Sequence, residues 1–589
     1  MKSSLAILFS FLLLAASDQP QQTAPTYLES LEVTVSTLDV VVTDKAGHTV
    51  PGLRAADFEV RENGVPRPIS NFAAYGTSSG SAELKAPTPS ATPSAAPSAS
   101  VQQEAPPPRK FVFYVDEMSI HPKSRAKLAN LAHDMVETAM RPGDEAMIVT
   151  PAEATKGTLA FSSDRAAVEK QLQAEIERSV HRADTPSRAE QFYYENVVQR
   201  ARTSDERRQM VKMYATRVNR RVTSTLRALL GVVGSLTQTS GKKVLVVISE
   251  SLVAEPGREA SALGEMQGFA ENVQPDEFSS RVEFDPNTSK SLYFDARPMI
   301  AELGARASTN GITIYSIQPD PGFAVNSPGL AAQSSGPKST ALEIARQTPM
   351  RPTAQQSLGG SLGVTAFQRD IADGTAQTLG SLADATGGKY WRGEGELPDA
   401  FRTIATDIDS YYSIGYRVPE GSSNQVRHVN VTVKGRPDLV VRTRRDVLRY
   451  SPEREMDEIA AATLLTAKQV NELDISAVAG QPKKRIDSYD IDVAVKIPLS
   501  KLTFIPEGDK YRAQFSVHYA VADGANYTTG QMRQQILQVP AADIDAVRTK
   551  TYTYKSTLVV APGTARITVG VFDTLSRLSG FQRLSVEAR

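Results

Sequence analysis

Short apolar segments alternate with helical patterns between Phe111 and Tyr416. The segments FVFYV and VLVVI are apolar without alternation, which is typical of strands buried on both faces of a parallel sheet. Between such segments, apolar residues recur every three or four positions, as in helices that pack on a sheet. The pattern predicts an α/β domain over residues 109–425, with helices on both faces of a mostly parallel sheet.

Segments that alternate apolar and polar residues flank this central domain. Residues 28–75 contain Asn63-Gly64, a strong hairpin signal, and predict an N-terminal β module. Residues 426–450 predict two more strands that complete this module, because the two ends of a domain commonly lie close together. Residues 484–589 alternate over four long segments and predict a C-terminal antiparallel β-sandwich. A chain of 589 residues is expected to form several such domains.

The N-terminus has the layout of a secretory signal. Residues 1–17 combine Lys2, an apolar run too short to span a bilayer, and small residues at the end. We therefore expect a signal peptide and a secreted or periplasmic protein. No later segment is long and apolar enough to predict a transmembrane helix.

Three other segments differ from their surroundings in composition. Residues 76–108 are rich in Pro, Ala and Ser and predict a disordered linker. Within the α/β domain we predict insertions at 180–221 and 322–366. The first is Arg-rich and predicts a solvated helical hairpin, because acidic residues are interleaved with the basic ones. If this hairpin binds anything, an acidic protein or glycan surface is favoured over nucleic acid.

Composition and motifs argue against several functional classes. The formal net charge is zero, so bulk attraction to nucleic acid is not expected. The chain has no Cys, which excludes disulfides, thiolate metal sites and Cys nucleophiles. Neither His-Glu-x-x-His nor Gly-x-Ser-x-Gly occurs. We therefore predict that the protein is not an enzyme.

Three parts of residues 30–450 resemble one known family, the von Willebrand factor A-related proteins of acidobacterial type. The first part is VVVTDKAGHTVPGLRAADFEVRENGVPRPISNF, which resembles that family's N-terminal strand-and-hairpin segment. The second comprises FSSDRAAVEKQL and KKVLVVISES, which resemble parts of its A domain. The third is LADATGGKYWRGEGELPDAFRTIATDIDSYYSIGY with VVRTRRDVL, which resembles its closing segment. The resemblance implies a Rossmann-like von Willebrand A domain between β modules.

The resemblance also implies a place for a metal-ion-dependent adhesion site. Such a site takes Asp-x-Ser-x-Ser from a first loop, Thr from a second and Asp from a third, and it binds Mg²⁺ or a similar cation. The matching positions here are Asp116, Thr223 (Thr225 is the less favoured alternative) and Glu250, and Ser119, between the two motif serine positions, is a further candidate ligand. Met118 and Ile120 replace the two motif serines, and neither side chain can coordinate a hard cation. We therefore expect a degenerate site without a cofactor; Mg²⁺ held with help from Glu117 or Ser249 is the alternative.

These inferences predict an exported, non-enzymatic interaction protein, an adhesin or a scaffold. An unidentified protein partner would bind the top face of the A-like domain, where the parallel strands end. Two alternatives stay open. One is a divalent-cation-dependent adhesin with a surviving metal site. The other is an envelope-remodelling hydrolase with converging carboxylates at Asp116 and Glu250.

Overall fold

The computed structural model describes most of the residues between Val35 and Arg589. The described ranges are 35–76, 109–117, 119–120, 122–151, 159–178, 203–237, 239, 241–258, 294–319, 372–418, 425–448, 450–464, 470–523, 526–529 and 533–589. The predicted signal peptide, nearly all of the predicted linker, the first half of the Arg-rich insertion, the whole insertion at 322–366 and Met118 lie outside these ranges.

The described residues form strands that we number in chain order. The strands are β1 (Val35–Thr43), β2 (Phe58–Glu62), β3 (Val65–Arg67), β4 (Ile69–Tyr75), β5 (Lys110–Val115), β6 (Glu145–Val149), β7 (Lys243–Ile248), β8 (Ile312–Gln318), β9 (Tyr390–Arg392), β10 (Tyr411–Arg417), β11 (Val426–Val433), β12 (Val440–Arg442), β13 (Asp446–Leu448), β14 (Ser476–Ala479), β15 (Lys483–Lys484), β16 (Tyr489–Pro498), β17 (Ile505–Glu507), β18 (Lys510–Asp523), β19 (Asn526–Thr529), β20 (Arg533–Pro540), β21 (Thr551–Val560), β22 (Gly563–Asp573) and β23 (Ser579–Ala588).

The α-helices are numbered in the same way. They are α1 (Pro122–Ala139), α2 (Arg165–Arg178), α3 (Ser204–Ser235), α4 (Arg297–Thr309), α5 (372–386), α6 (Leu397–Asp409), α7 (Pro452–Thr463) and α8 (Ile544–Arg548).

The centre of the chain forms a five-stranded sheet in the order β6-β5-β7-β8-β9, in which every pair is parallel. One apolar core joins a face of this sheet to α3, α4 and α5 through Leu226, Leu303 and Leu379. A second core joins the other face to α1, α2 and α6. The prediction of a parallel sheet flanked by helices is thus confirmed. Because the first strand, β5, lies between the second and the third, the connections change direction between β5 and β7.

The N-terminal module consists of two four-stranded sheets, β12-β1-β10-β4 and β13-β11-β2-β3, around one apolar core. Segment 426–450 supplies three of these strands, although it follows the parallel sheet in the chain. Strand β10, which sequence analysis assigned to the α/β domain, also belongs here and lies between β1 and β4. Its buried residues Tyr412, Ile414 and Tyr416 alternate, as they must in a strand with one face on a core.

Helix α3 differs from the sequence prediction in its length. Sequence analysis placed an Arg-rich insertion at 180–221 and Thr223 in a loop of the site; instead one helix, α3, begins at Ser204 and continues to Ser235. Buried residues with helical spacing extend through the supposed insertion and include Tyr214, Ala215 and Val218. One continuous apolar stripe, which begins with the partly buried Met210, therefore holds the helix against the sheet.

The C-terminal domain has two antiparallel sheets around one core, as expected for a sandwich. It begins before residue 484, because β14 pairs with β16. Helix α7 packs against β18 and β22 on one side and against α3 on the other, so it joins this domain to the α/β domain. Within the described ranges, no helix is both long and apolar enough to cross a membrane.

Candidate functional site at the carboxyl edge of the parallel sheet

Asp116 follows β5 directly, at the point where the strand connections change direction. Its backbone N–H donates to the Ile248 carbonyl at 2.9 Å, which holds the ends of β5 and β7 side by side. Its carboxylate accepts a hydrogen bond of 2.7 Å from the Ser249 hydroxyl, and the residue is only 2% exposed. This edge is where doubly wound sheets bind ligands.

Ser119 connects Asp116 to the loop after β7. Its Oγ lies 3.1 Å from Ser249 Oγ and 3.2 Å from the Asp116 carbonyl oxygen. The same Oγ accepts from the Glu250 backbone N–H at 3.1 Å. We call Asp116, Ser119, Ser249 and Glu250 the edge network. It brings together three of the four candidate site residues named from the sequence, and it adds Ser249, which the sequence offered as an alternative ligand.

Thr223 takes no part in the hydrogen bonds of the edge network. It lies in the second half of α3, and its Oγ1 is 3.4 Å from Asn219 Oδ1 of the same helix. The alternative, Thr225, contributes a backbone carbonyl that accepts from the Tyr114 hydroxyl at 3.4 Å. Burial raises the pKa of Tyr114 well above its usual value, and the charge of Asp116 adds to that rise. Here α3 meets β5 through a neutral phenol.

Arg125 of α1 is the charged residue that sequence analysis missed. It is 1% exposed, its Nε donates to the Ile120 carbonyl at 2.8 Å, and Nη2 donates to the Glu117 carbonyl. Burial lowers the pKa of Arg125, whereas the negative charges of Glu117, Glu250 and Asp116 oppose that shift. A buried guanidinium thus lies in the electrostatic field of three carboxylates.

A signal for Arg125 is present in the sequence. The buried face of α1 includes Leu128, Ala129 and Ala132, and Arg125 precedes them by three, four and seven positions. A residue with that spacing lies on the same face of the helix. An Arg at the beginning of an apolar stripe, just after an acidic loop, is therefore a candidate for a buried cation.

One residue at this edge lacks the oxygen that a hard metal ion would need as a ligand. Ile120 is buried in the apolar core beneath α1 and brings no oxygen. The described part of the chain contains no group of three His, Asp or Glu side chains arranged to hold a metal. Mg²⁺ requires nearly octahedral oxygen ligands, and here the charge of Arg125 already acts on the nearby carboxylates.

A second polar group lies in the C-terminal domain, beneath α7. Ser516 Oγ is 2.7 Å from His518 Nε2, and His518 Nδ1 is 2.7 Å from Asp457 Oδ1. These distances are those of a Ser-His-Asp hydrolase triad. Ser516 and His518 are both 0% exposed, however, so a substrate carbonyl cannot reach the hydroxyl. The Ser-x-His spacing was visible in SVHYAV, but Asp457 is 61 residues from His518 and could not be inferred.

Comparisons with known proteins leave the family open. No protein-family model and no curated protein matches this chain. Among solved structures, the X-ray structure of Northeast Structural Genomics Consortium target SoR45 is similar to a part of it, with 15% sequence identity. The match covers 19% of this chain and 83% of the other, with a TM-score of 0.12.

Proposed function

We propose that this chain is an exported, non-enzymatic protein-interaction protein, an adhesin or scaffold, built around a von Willebrand A-like domain. The observation that carries the proposal is the buried Arg125 at the carboxyl edge of the parallel sheet. Its guanidinium supplies the positive charge for which an A domain of the adhesion type uses a divalent cation. The edge would therefore present a preformed surface to a partner without a bound ion.

The proposed binding surface extends along the carboxyl ends of the strands. At the far end, Arg392 terminates β9 and pairs with Asp373 of α5 at 2.9 Å, and both side chains are substantially exposed. Because the edge network itself is buried, partner contacts would come from such exposed groups around it. Exposed charges at the rim of an interface mainly steer the approach of the partner and select among partners.

The first test is capture of envelope proteins by the full chain. We expect the captured set to be the same in Mg²⁺ and in EDTA, and we expect Arg392→Glu to reduce its major component several-fold. Arg436→Glu is the matched control, because Arg436 pairs with Asp438 at 2.8 Å between β11 and β12 of the N-terminal module, and the two side chains are exposed to a similar degree. Loss of capture in EDTA would instead support the cation-dependent adhesin, and equal capture by both variants would contradict a top-face partner site.

An envelope-remodelling hydrolase is the second candidate function. The hydrogen-bonded row of Ser516, His518 and Asp457 is the observation in its favour. If these hydrogen bonds are only structural, the native chain will not react with a fluorophosphonate probe at Ser516, because the hydroxyl of this serine is inaccessible. Labelling measured by mass spectrometry that disappears in Ser516→Ala, but persists in Ser556→Ala, would favour the hydrolase.

A further inference from the structure

A cavity of about 950 Å³ lies between the amino-terminal edge of the parallel sheet and the N-terminal β module. Lys243 and Ile312, the first residues of β7 and β8, line it on the sheet side. Asp39 of β1 and Tyr411 of β10 line it on the module side. The edge network lies at the opposite ends of these strands, so the cavity is separate from that site.

Five cationic side chains and three carboxylates line the cavity, which leaves an excess of two positive charges. Two of the carboxylates pair with arginines at one wall. Asp144 is 2.9 Å from Arg109 Nε, and Asp409 is 2.6 Å from Arg109 Nη1. Arg141 also pairs with Asp409. The charges of this wall therefore largely compensate one another.

The third carboxylate, Asp39, pairs with Lys242 at 3.0 Å. The same ammonium lies 3.5 Å from the centre of the Tyr411 ring, which adds a cation–π contact. All three carboxylates thus already have cationic partners. The excess charge belongs to the two remaining cations, Lys243 and Arg444.

Within the described part of the chain, neither Lys243 nor Arg444 makes an ion pair. Lys243 Nζ donates to the Asn310 carbonyl at 3.0 Å, and Arg444 Nη1 donates to the Ser308 carbonyl at 2.5 Å. Arg444 Nε is buried and has no hydrogen-bond partner among the described residues. Both cations thus have donor capacity that the protein leaves unused.

The pKa shifts of Lys243 and Arg444 also indicate that neither positive charge is fully compensated. Burial, with the charge of Arg444 as a second cause, lowers the pKa of Lys243 to about 8. Burial also lowers the pKa of Arg444, and the charge of Asp39 only partly opposes that shift. Two desolvated like charges disfavour each other, and an anion between them would offset that cost.

We propose that this cavity binds a small phosphorylated solute, with the phosphate dianion held by Lys243 and Arg444. A guanidinium matches two phosphate oxygens with parallel N–H groups, and an ammonium adds a compact charge. The excess of two positive charges in the lining matches a dianion better than a monocarboxylate. The cavity volume leaves room for the organic part of a phosphate monoester.

Isothermal titration of the full chain with inorganic phosphate, glycerol phosphate and acetate, at constant ionic strength, tests the proposal. We expect both phosphates to bind more tightly than acetate. Lys243→Gln and Arg444→Gln should each weaken phosphate binding by roughly tenfold or more, since each removes a charge-assisted hydrogen bond. Lys434→Gln is the matched control, because Lys434 Nζ also donates to a backbone carbonyl, that of Ala56, but does not line the cavity.

Protection of Lys243 in the unmodified chain gives a second measurement that does not depend on the folding of a variant. A lysine with a pKa of about 8 is partly neutral at that pH, and its neutral amine is the form that an acetylating reagent modifies. We expect phosphate to slow acetylation of Lys243, but not of Lys434, in peptide mass spectra. The proposal is overturned if millimolar phosphate neither binds nor protects, or if all three variants bind phosphate equally.

Discussion

Arg125→Met is expected to lower the free energy of unfolding of the α/β domain by about 3–5 kcal/mol, the usual effect of breaking a buried charge pairing. The substitution keeps most of the side-chain volume but leaves the carboxylates of Asp116, Glu117 and Glu250 without the buried guanidinium. It also removes hydrogen bonds to the carbonyls of Ile120 and Glu117. Trp391 is the only tryptophan and lies in the core that α1, α2 and α6 share with the sheet, so its fluorescence during urea unfolding reports on this domain.

Magnesium distinguishes a structural guanidinium from one that takes the place of a cation. The unmodified chain should show no change in melting temperature with Mg²⁺. In Arg125→Met, Mg²⁺ should restore part of the stability that the substitution removes. When the Mg²⁺ concentration is a hundred times the dissociation constant, binding stabilises the folded state by about 2.7 kcal/mol, which is easily measured. Arg125→Lys keeps the charge and should not respond to Mg²⁺.

Arg165→Met provides the comparison for a surface ion pair. Arg165 pairs with Glu137, and both side chains are partly exposed. Its loss should cost no more than about 1 kcal/mol, as for surface pairs in general. If the unmodified chain gains several degrees with Mg²⁺ and loses that gain in Asp116→Ala, the edge binds a metal and Arg125 has another role.

The sequence was sufficient to predict the parallel sheet because its strands are buried on both faces and leave a clear apolar signature. It also located the Asn63-Gly64 turn, where both residues have positive φ, at 49° and 80°. It assigned β10 to the wrong sheet, because strand partners are chosen through contacts far apart in the chain. The period of two in Tyr412, Ile414 and Tyr416 was the available clue, since the strands of the parallel sheet lack it.

The edge network was predictable in part for a similar reason. Strand ends of a parallel sheet converge, so Asp116 and Glu250 could be placed at one edge before the structure was known. The burial of Arg125 on the neighbouring helix α1 was harder to predict, because sequence patterns classify an Arg as exposed unless a buried partner is known. Thr223 lies within α3 because the apolar stripe of this helix continues through an Arg-rich segment, in which Lys212, Arg217 and Arg220 are exposed.

Gly388→Ala is expected to lower the free energy of unfolding of the α/β domain by about 3 kcal/mol, at the upper end of the cost of overpacking. Gly388 lies two residues after the end of α5, and the structure gives a reason for a glycine there. A Cβ on Gly388 would lie 1.9 Å from the Ile314 carbonyl oxygen, in a buried strand of the parallel sheet. Backbone rather than a movable side chain blocks the space, so the strand or the end of α5 must shift.

Any such shift is destabilising, because hydrogen bonds of the same few residues hold the end of α5 against β8. The Ile314 N–H donates to Thr386 Oγ1 at 2.9 Å, and the Gly388 N–H donates to the Ala383 carbonyl at 2.9 Å. Gly395→Ala is the matched control: a Cβ there meets nothing within 4 Å, and the change should stay within about 0.5 kcal/mol. Unfolding of both variants is measured by the fluorescence of Trp391. Equal unfolding midpoints would show that β8 moves away from a Cβ at position 388 without loss of stability.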